Sequence, residues 1–153
     1  MLEKILVCLD GSKEAEQILP FIISDKQFSH SMITLFRVIS LPELTIPISV
    51  PGTPGVPMNT EATIKQMQAK ENDAATYLQK TADSLCQQGL KVDHAYIPGI
   101  AGEAIVEYAM QNDFTLIAIA THGHGAARRF FVGSTADFVT HHSPLPVLLI
   151  RPK

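Results

Sequence analysis

Apolar residues gather in short runs along the chain, separated by turn-forming or amphipathic stretches. Ile5-Leu6-Val7 and Leu116-Ile117-Ala118-Ile119-Ala120 are almost continuous, the pattern of strands covered on both faces. They predict two central strands, within 4–9 and 114–121. Further strands are expected at 32–39, 91–97 and 146–151. The 91–97 run carries Lys91, Asp93 and His94 among its apolar residues and therefore reads as an edge. Helical spacing occurs between the strands, at 13–25, 61–88, 102–112 and 134–142. In the longest of these, Ile64, Met67, Glu71, Ala75, Leu78, Ala82 and Leu85 recur every three or four residues, which leaves one mostly apolar stripe. Gly89 then supplies a C-terminal stop. Met67, Tyr77 and Leu78 read as core packing rather than as a cofactor site. Strands alternating with helices predict an α/β fold, a parallel sheet with helices on both faces.

One segment breaks the alternation. Residues 41–60 hold Pro42, Pro47, Pro51, Pro54 and Pro57, half of the ten prolines in the chain. Proline removes backbone donors and pushes its neighbours toward extended conformations, so a mobile loop is expected. Loops of this length serve as lids, binding loops or disordered excursions. Because this one leaves the carboxyl end of the second strand, it could reach over a site there.

Size and charge narrow the function. A chain of 153 residues fits one domain spanning 1–153 with a good core. With a net charge of −3 it offers no basic surface, so neither nucleic acid nor an anionic membrane is an expected partner. The sequence reaches Lys4-Ile5-Leu6-Val7-Cys8-Leu9-Asp10 at once, unlike a signal peptide, and no apolar run approaches the roughly 20 residues of a membrane span. A soluble, cytoplasmic protein is expected. Cys8 and Cys86 have no metal-ligand spacing and read as reduced thiols.

Ligands of open α/β sheets collect beyond the carboxyl ends of the strands, where strand order reverses. Three features fall at that edge: Asp10-Gly11-Ser12 after the first strand, Val38 at the end of the second, and Thr121-His122-Gly123 after the fourth. Asp10 can accept hydrogen bonds from ribose hydroxyls or an amino group, and Ser12 can cap a helix; Asp-Gly-Ser is also ordinary turn chemistry. Gly123, Gly125 and Gly133 allow close backbone approach at both ends of one loop, with Arg128 and Arg129 between them. Ser134 with Asp137 three residues on resembles a capping box, which a helix needs with or without a ligand. Together these features favour an anion at a helix start, and a nucleotide is the first ligand to consider.

Other chemistries are less well supported. Neither a P-loop lysine motif nor a Gly-x-Gly-x-x-Gly fingerprint after the first strand is present. His141 and His142 are adjacent, point in different directions on a helix and suit its C-terminus better than one metal. His122 and His124 flank Gly123, where either could bond a phosphate, and no catalytic triad is assigned.

Residues 4–12, the Ala120-Thr121-His122-Gly123 turn, the nine-residue spacer to Gly133-Ser134, and the closing Pro146-Val147-Leu148-Leu149-Ile150-Arg151 together resemble the universal stress protein family. The likeness covers the chain apart from the proline-rich loop. It implies a doubly wound, five-stranded sheet of order 3-2-1-4-5. The ATP-binding branch carries Gly-x2-Gly-x9-Gly-Ser/Thr, and here Ala120 stands for the first glycine. In the β region its methyl is tolerable; at positive φ it would cost about 1 kcal/mol or more. Members often have a basic residue where His124 stands and proline where Cys8 stands.

The resemblance further implies ATP as ligand, with Mg2+ as a candidate companion ion. Asp10 would contact the adenosine end, the Val38 backbone would meet adenine, and amides around Gly123, Gly133, Ser134 and Thr135 would hold phosphates. Leu9, Ala120 and Arg129 complete the candidate set. It implies a stress-associated ATP sensor acting as a homodimer through the last strand, Val147 to Ile150, with at most weak ATP hydrolysis. The alternatives are a slow nucleotide hydrolase using the same pocket and a dimeric scaffold that binds no nucleotide.

Overall fold

A computed structural model describes residues 3–41, 60–121 and 133–153. Most of the proline-rich segment, and the stretch 122–132 with His122, Gly123, His124, Gly125, Arg128 and Arg129, lie outside the described residues. The described residues form a parallel five-stranded sheet of order β3-β2-β1-β4-β5, built from β1 (Lys4–Cys8), β2 (Met32–Ser40), β3 (Lys91–Gly99), β4 (Leu116–Ala120) and β5 (Val147–Ile150). This is the expected doubly wound order. β1 and β4 are central, as their unbroken apolar runs require: Ile5, Leu6, Val7, Ile117 and Ala118 are fully buried. β3, with alternating exposure along its length, is an edge, and β5 is the other.

Alternate residues of each strand feed two cores. Ile5, Val7, Ile33 and Leu35 pack with Ile18, Ile22 and Leu78 on one face. The helices there are α1 (Lys13–Glu16), α2 (Ile18–Ser24) and α3 (Thr60–Cys86). Leu6, Cys8, Phe36 and Ile117 pack with Ile105, Ala109 and Val139 on the other. There the helices are α4 (Ala101–Gln111) and α5 (Ser134–His142).

The helices differ from the sequence reading in three places. The expected helix 13–25 is two, parted at Gln17. Pro20 has no N–H for the Glu16 carbonyl and its ring crowds that group, so the first turn cannot run through unbroken. A 3-10 turn at Lys26–Phe28 follows, capped by Asp25, whose Oδ1 accepts from the Gln27 amide at 2.9 Å. In α3 the buried stripe is Ala74, Leu78, Ala82 and Leu85, whereas Ile64 is 54% exposed. Gly89 ends this helix as expected, at φ +87°, with its amide on the Cys86 carbonyl at 2.9 Å. At α5 the N-cap is Gly133, not Ser134. Ser134 is already helical, and no capping box forms.

Candidate functional site

A cleft opens at the carboxyl edge of the sheet, where strand order reverses. The β1–β4 ladder is registered from Ile5–Leu116 to Val7–Ala118, and beyond it the two strands part. Leu9 donates from its amide to the Phe36 carbonyl at 2.8 Å, and Thr121 to Ile150 at 2.9 Å. β1 is thus held to β2 and β4 to β5 while the space between β1 and β4 widens, as expected of a topological switch point.

The floor of this cleft is apolar. Cys8, Phe36, Val38 and Ile119 rise from the sheet, and Ala101 and Ile105 of α4 wall one side. Phe36 is fixed from behind by Tyr108, stacked at 4.3 Å between centroids. Burial pushes the Cys8 thiol well above its ordinary range, because a thiolate there would lose its hydration. Cys8 is therefore a neutral apolar wall and not a nucleophile.

Val38 lies within β2, which runs on to Ser40, and pairs with Ile97 in register. In a parallel strand every second residue turns both its N–H and its C=O to the same side. Phe36 points its carbonyl at β1, so Val38 points its backbone groups the same way, past the place where β1 has left. Their position suits the edge of a base.

The β1–α1 turn forms one rim. Asp10 is exposed, and its Oδ1 accepts from the Ser12 amide at 2.8 Å; Ser12 Oγ in turn accepts from the Ala15 amide at 3.1 Å. The turn chemistry and the helix cap anticipated for Asp-Gly-Ser are therefore both present, and they fix the Asp10 carboxylate at the rim. Gly11, at φ +87°, is needed for the sharp reversal, since a side chain is strained there.

The opposite rim is the start of α5, with Gly133 and Thr135 lining the cleft. The first amides of a helix have no partner one turn back, and Gly133 has no side chain to cap them. The Asp137 amide reaches the Gly133 carbonyl at 2.8 Å, so the amides of Ser134, Thr135 and Ala136 have no partner within α5. α4 begins beside the same cleft, and its N-cap, Ile100, also makes no side-chain cap bond.

Ala120, the last residue of β4, pairs with Ile150 and lines the cleft. Asp113 is the one non-glycine residue with positive φ among the described residues, so Ala120 carries no left-handed strain and its methyl is tolerated. Of the candidate residues, Leu9, Asp10, Val38, Ala120, Gly133 and Thr135 line one cleft, and Ser134 adjoins them in the chain. Gly123 and Arg129 lie outside the described residues. Among the described lining residues Asp10 holds the one formal charge.

Sequence reasoning missed Phe36, Ala101 and Ile105 as walls. The Pro98-Gly99 pair that closes β3 and brings α4 to the same edge was the available signal. His141 and His142 sit in the last turn of α5 as anticipated. Their Nδ1 atoms lie 2.8 and 2.9 Å from the Asp137 and Phe138 carbonyls. Among the described residues no group of three or more His, Cys, Asp or Glu side chains could hold a metal, and no helix is long and apolar enough to cross a membrane.

Comparison with known proteins covers nearly the whole chain. The sequence profile described as the universal stress protein family matches residues 1–151. Universal stress protein Sll1388 of Synechocystis is 25% identical over 150 residues, covering 97% of each chain. Universal stress protein MJ0577 of Methanocaldococcus jannaschii is 26% identical over 157 residues, covering 100% of this chain and 97% of its own. The solved structure of MJ0577 superposes with a TM-score of 0.81 at 24% identity, covering 100% of this chain and 98% of that one. A universal stress protein family protein from Arabidopsis thaliana, solved with AMP bound, has the same fold at 11% identity. Its TM-score is 0.63, with 99% of this chain and 92% of that chain covered.

Proposed function

The chain belongs to the universal stress protein family, and from that premise we propose that its cleft binds an adenine nucleotide, ATP with Mg2+ as companion ion. The observation that carries this reading is the pairing of an apolar slot, floored by Phe36 and Val38, with the uncapped start of α5 across the same opening. The slot suits a flat base and the orphan amides suit phosphate. Asp10, on the rim across from α5, accepts from the sugar hydroxyls. Gly123 and Arg129 supply the rest of the phosphate cradle and its positive charge. AMP bound in the Arabidopsis relative supports an adenine nucleotide as the ligand.

The protein acts as a sensor rather than an enzyme. Hydrolysis needs a placed water and a base, whereas the Asp10 carboxylate is assigned to the ribose. Turnover is at most weak. The sensor is a single cytoplasmic domain that dimerises along β5, the outer strand, where Leu149 is 38% exposed; an apolar edge strand is a template for a second copy.

Mass spectrometry of small molecules released from the denatured, freshly purified protein, followed by titration of the emptied protein with ATP, ADP and AMP, tests the reading. Release of an adenine nucleotide, with saturable rebinding weakened by Asp10→Ala and by Gly123→Val, is expected. No release and no binding at millimolar nucleotide would refute it and favour a scaffold.

A further inference from the structure

Arg37 is a cation in a strand whose neighbours Ile33, Leu35, Phe36 and Ile39 are buried. It follows Phe36 and so points to the sheet face opposite the cleft floor. Its side chain is only 22% exposed, and a guanidinium is not taken that far out of water without partners. Those partners lie on two different elements. The flat group rests against the Gly11 backbone: a Cβ built there would stand 3.2, 3.3 and 3.4 Å from Nη1, Cζ and Nη2. On its other side, Cζ lies 5.6 Å from the centre of the Tyr77 ring, and Nη1 donates to Asp73 Oδ2 at 3.1 Å. The Tyr77 hydroxyl donates to Glu16 Oε1 at 2.9 Å, tying α3 to the helix that follows the turn.

We propose that Arg37 is a positioning residue: it holds the Asp10-Gly11 turn against α3, so that filling the cleft is communicated to residues 70–78 of that helix. The proposal rests on the nucleotide reading above. A ligand that engages Asp10 fixes the Gly11 backbone, the guanidinium seated on it, and through Asp73 and Tyr77 the middle of α3. Coupling of this kind is reciprocal, so loosening α3 weakens the ligand's hold. Arginine is required because the contact with Gly11 uses a planar face, which a lysine ammonium lacks.

Amide hydrogen exchange with and without saturating ATP, on the intact protein, Asp73→Asn and Arg37→Lys, tests this. The Asp73 side chain is 71% exposed, so its variant keeps the fold. ATP is expected to slow exchange at 9–12, 134–136 and 70–78 in the intact protein. In Asp73→Asn it should slow only the first two, with the ATP dissociation constant raised about two- to fivefold. In nucleotide-free Arg37→Lys, faster exchange at the Ser12 amide than in the intact protein is expected. Equal slowing at 70–78 in Asp73→Asn, or an unchanged Ser12 amide in Arg37→Lys, would overturn the proposal. If the intact protein binds no nucleotide, the nucleotide reading and the coupling fail together, while the Ser12 amide still decides whether Arg37 holds the turn.

Discussion

A single methyl group added at Gly102 should loosen the frame of the cleft. Gly102 is buried in the first turn of α4, where that helix crosses α5. A Cβ built there would stand 2.8 Å from Cδ1 and Cγ of Phe138 and 2.9 Å from its Cβ, against the roughly 3.5–4.0 Å of a comfortable carbon contact. The ring cannot swing aside cheaply. It is stacked on His142 at 4.0 Å, and the Phe138 Cβ moves only with the backbone of α5. Overpacking of this kind costs about 1–3 kcal/mol. Alanine recovers less than the ~1 kcal/mol by which it surpasses glycine inside a helix, because Gly102 is in the first turn. A net loss of about 1–2 kcal/mol is expected for Gly102→Ala, and at about 2–4 °C per kcal/mol for a chain of this size the melting temperature should fall by about 2–8 °C. Urea and thermal unfolding measure it, and Phe138→Ala, which removes the Cγ and Cδ1 contacts but keeps the Cβ, should relieve part of the cost in a double-mutant cycle. Gly102→Ala as stable as the parent, or a cost untouched by Phe138→Ala, would refute this account of the α4–α5 contact.

Other consequences are equally direct. Burial raises the Cys8 pKa from its ordinary value of 9.0; the folded state then holds a proton that the unfolded chain releases, so this stability is present below about pH 9 and lost as pH rises further. Unfolding free energy should therefore fall above pH 9 by up to about 1.4 kcal/mol per pH unit, and Cys8→Ala should flatten that slope. Tyr77, raised by burial first and then by its bond to Glu16, adds a smaller, solvent-screened share. Ala120→Gly should cost about 0.5–1 kcal/mol of stability, as glycine does within a strand, and change ATP affinity less than about threefold; a tenfold gain in a titration would mean that the methyl obstructs the ligand. Lysine introduced at Val147 or Leu149 should convert a dimer to a monomer by light scattering, and a parent that is already monomeric at micromolar concentration would contradict dimerisation along β5.

The periodicity of single elements carried most of the architecture. Unbroken runs at Ile5–Val7 and 116–120 placed β1 and β4 at the centre, because only strands covered on both faces can afford no polar alternation. Lys91, Asp93 and His94 marked the edge strand for the opposite reason. The boundary at Gly133 was harder to read. Ser134 is the stronger capping residue by type, yet Gly133 takes the cap and supplies no side-chain bond to the amides that follow. α3 misled by one position: Ala74 and Ala75 are chemically identical neighbours, and only the docked angle of the helix decides which is buried. Arg37 was silent in the sequence because its partners, Gly11 and Asp73, meet it only through tertiary structure. The walls from α4 were harder to read, since Ala101 and Ile105 reach the cleft from a distant part of the chain and Pro98-Gly99 marks only the turn that brings them there.

The apolar slot beside Val38 and the start of α5 are proposed to form one adenine-nucleotide site. Titration of ATP into isotopically labelled protein, followed by backbone amide resonances, tests it most directly. Saturable shifts at Leu9, Asp10, Val38, Gly133, Ser134 and Thr135, following one dissociation constant, are the predicted result. Resonances that stay still at millimolar ATP, or that move only at residues remote from this edge of the sheet, would contradict it.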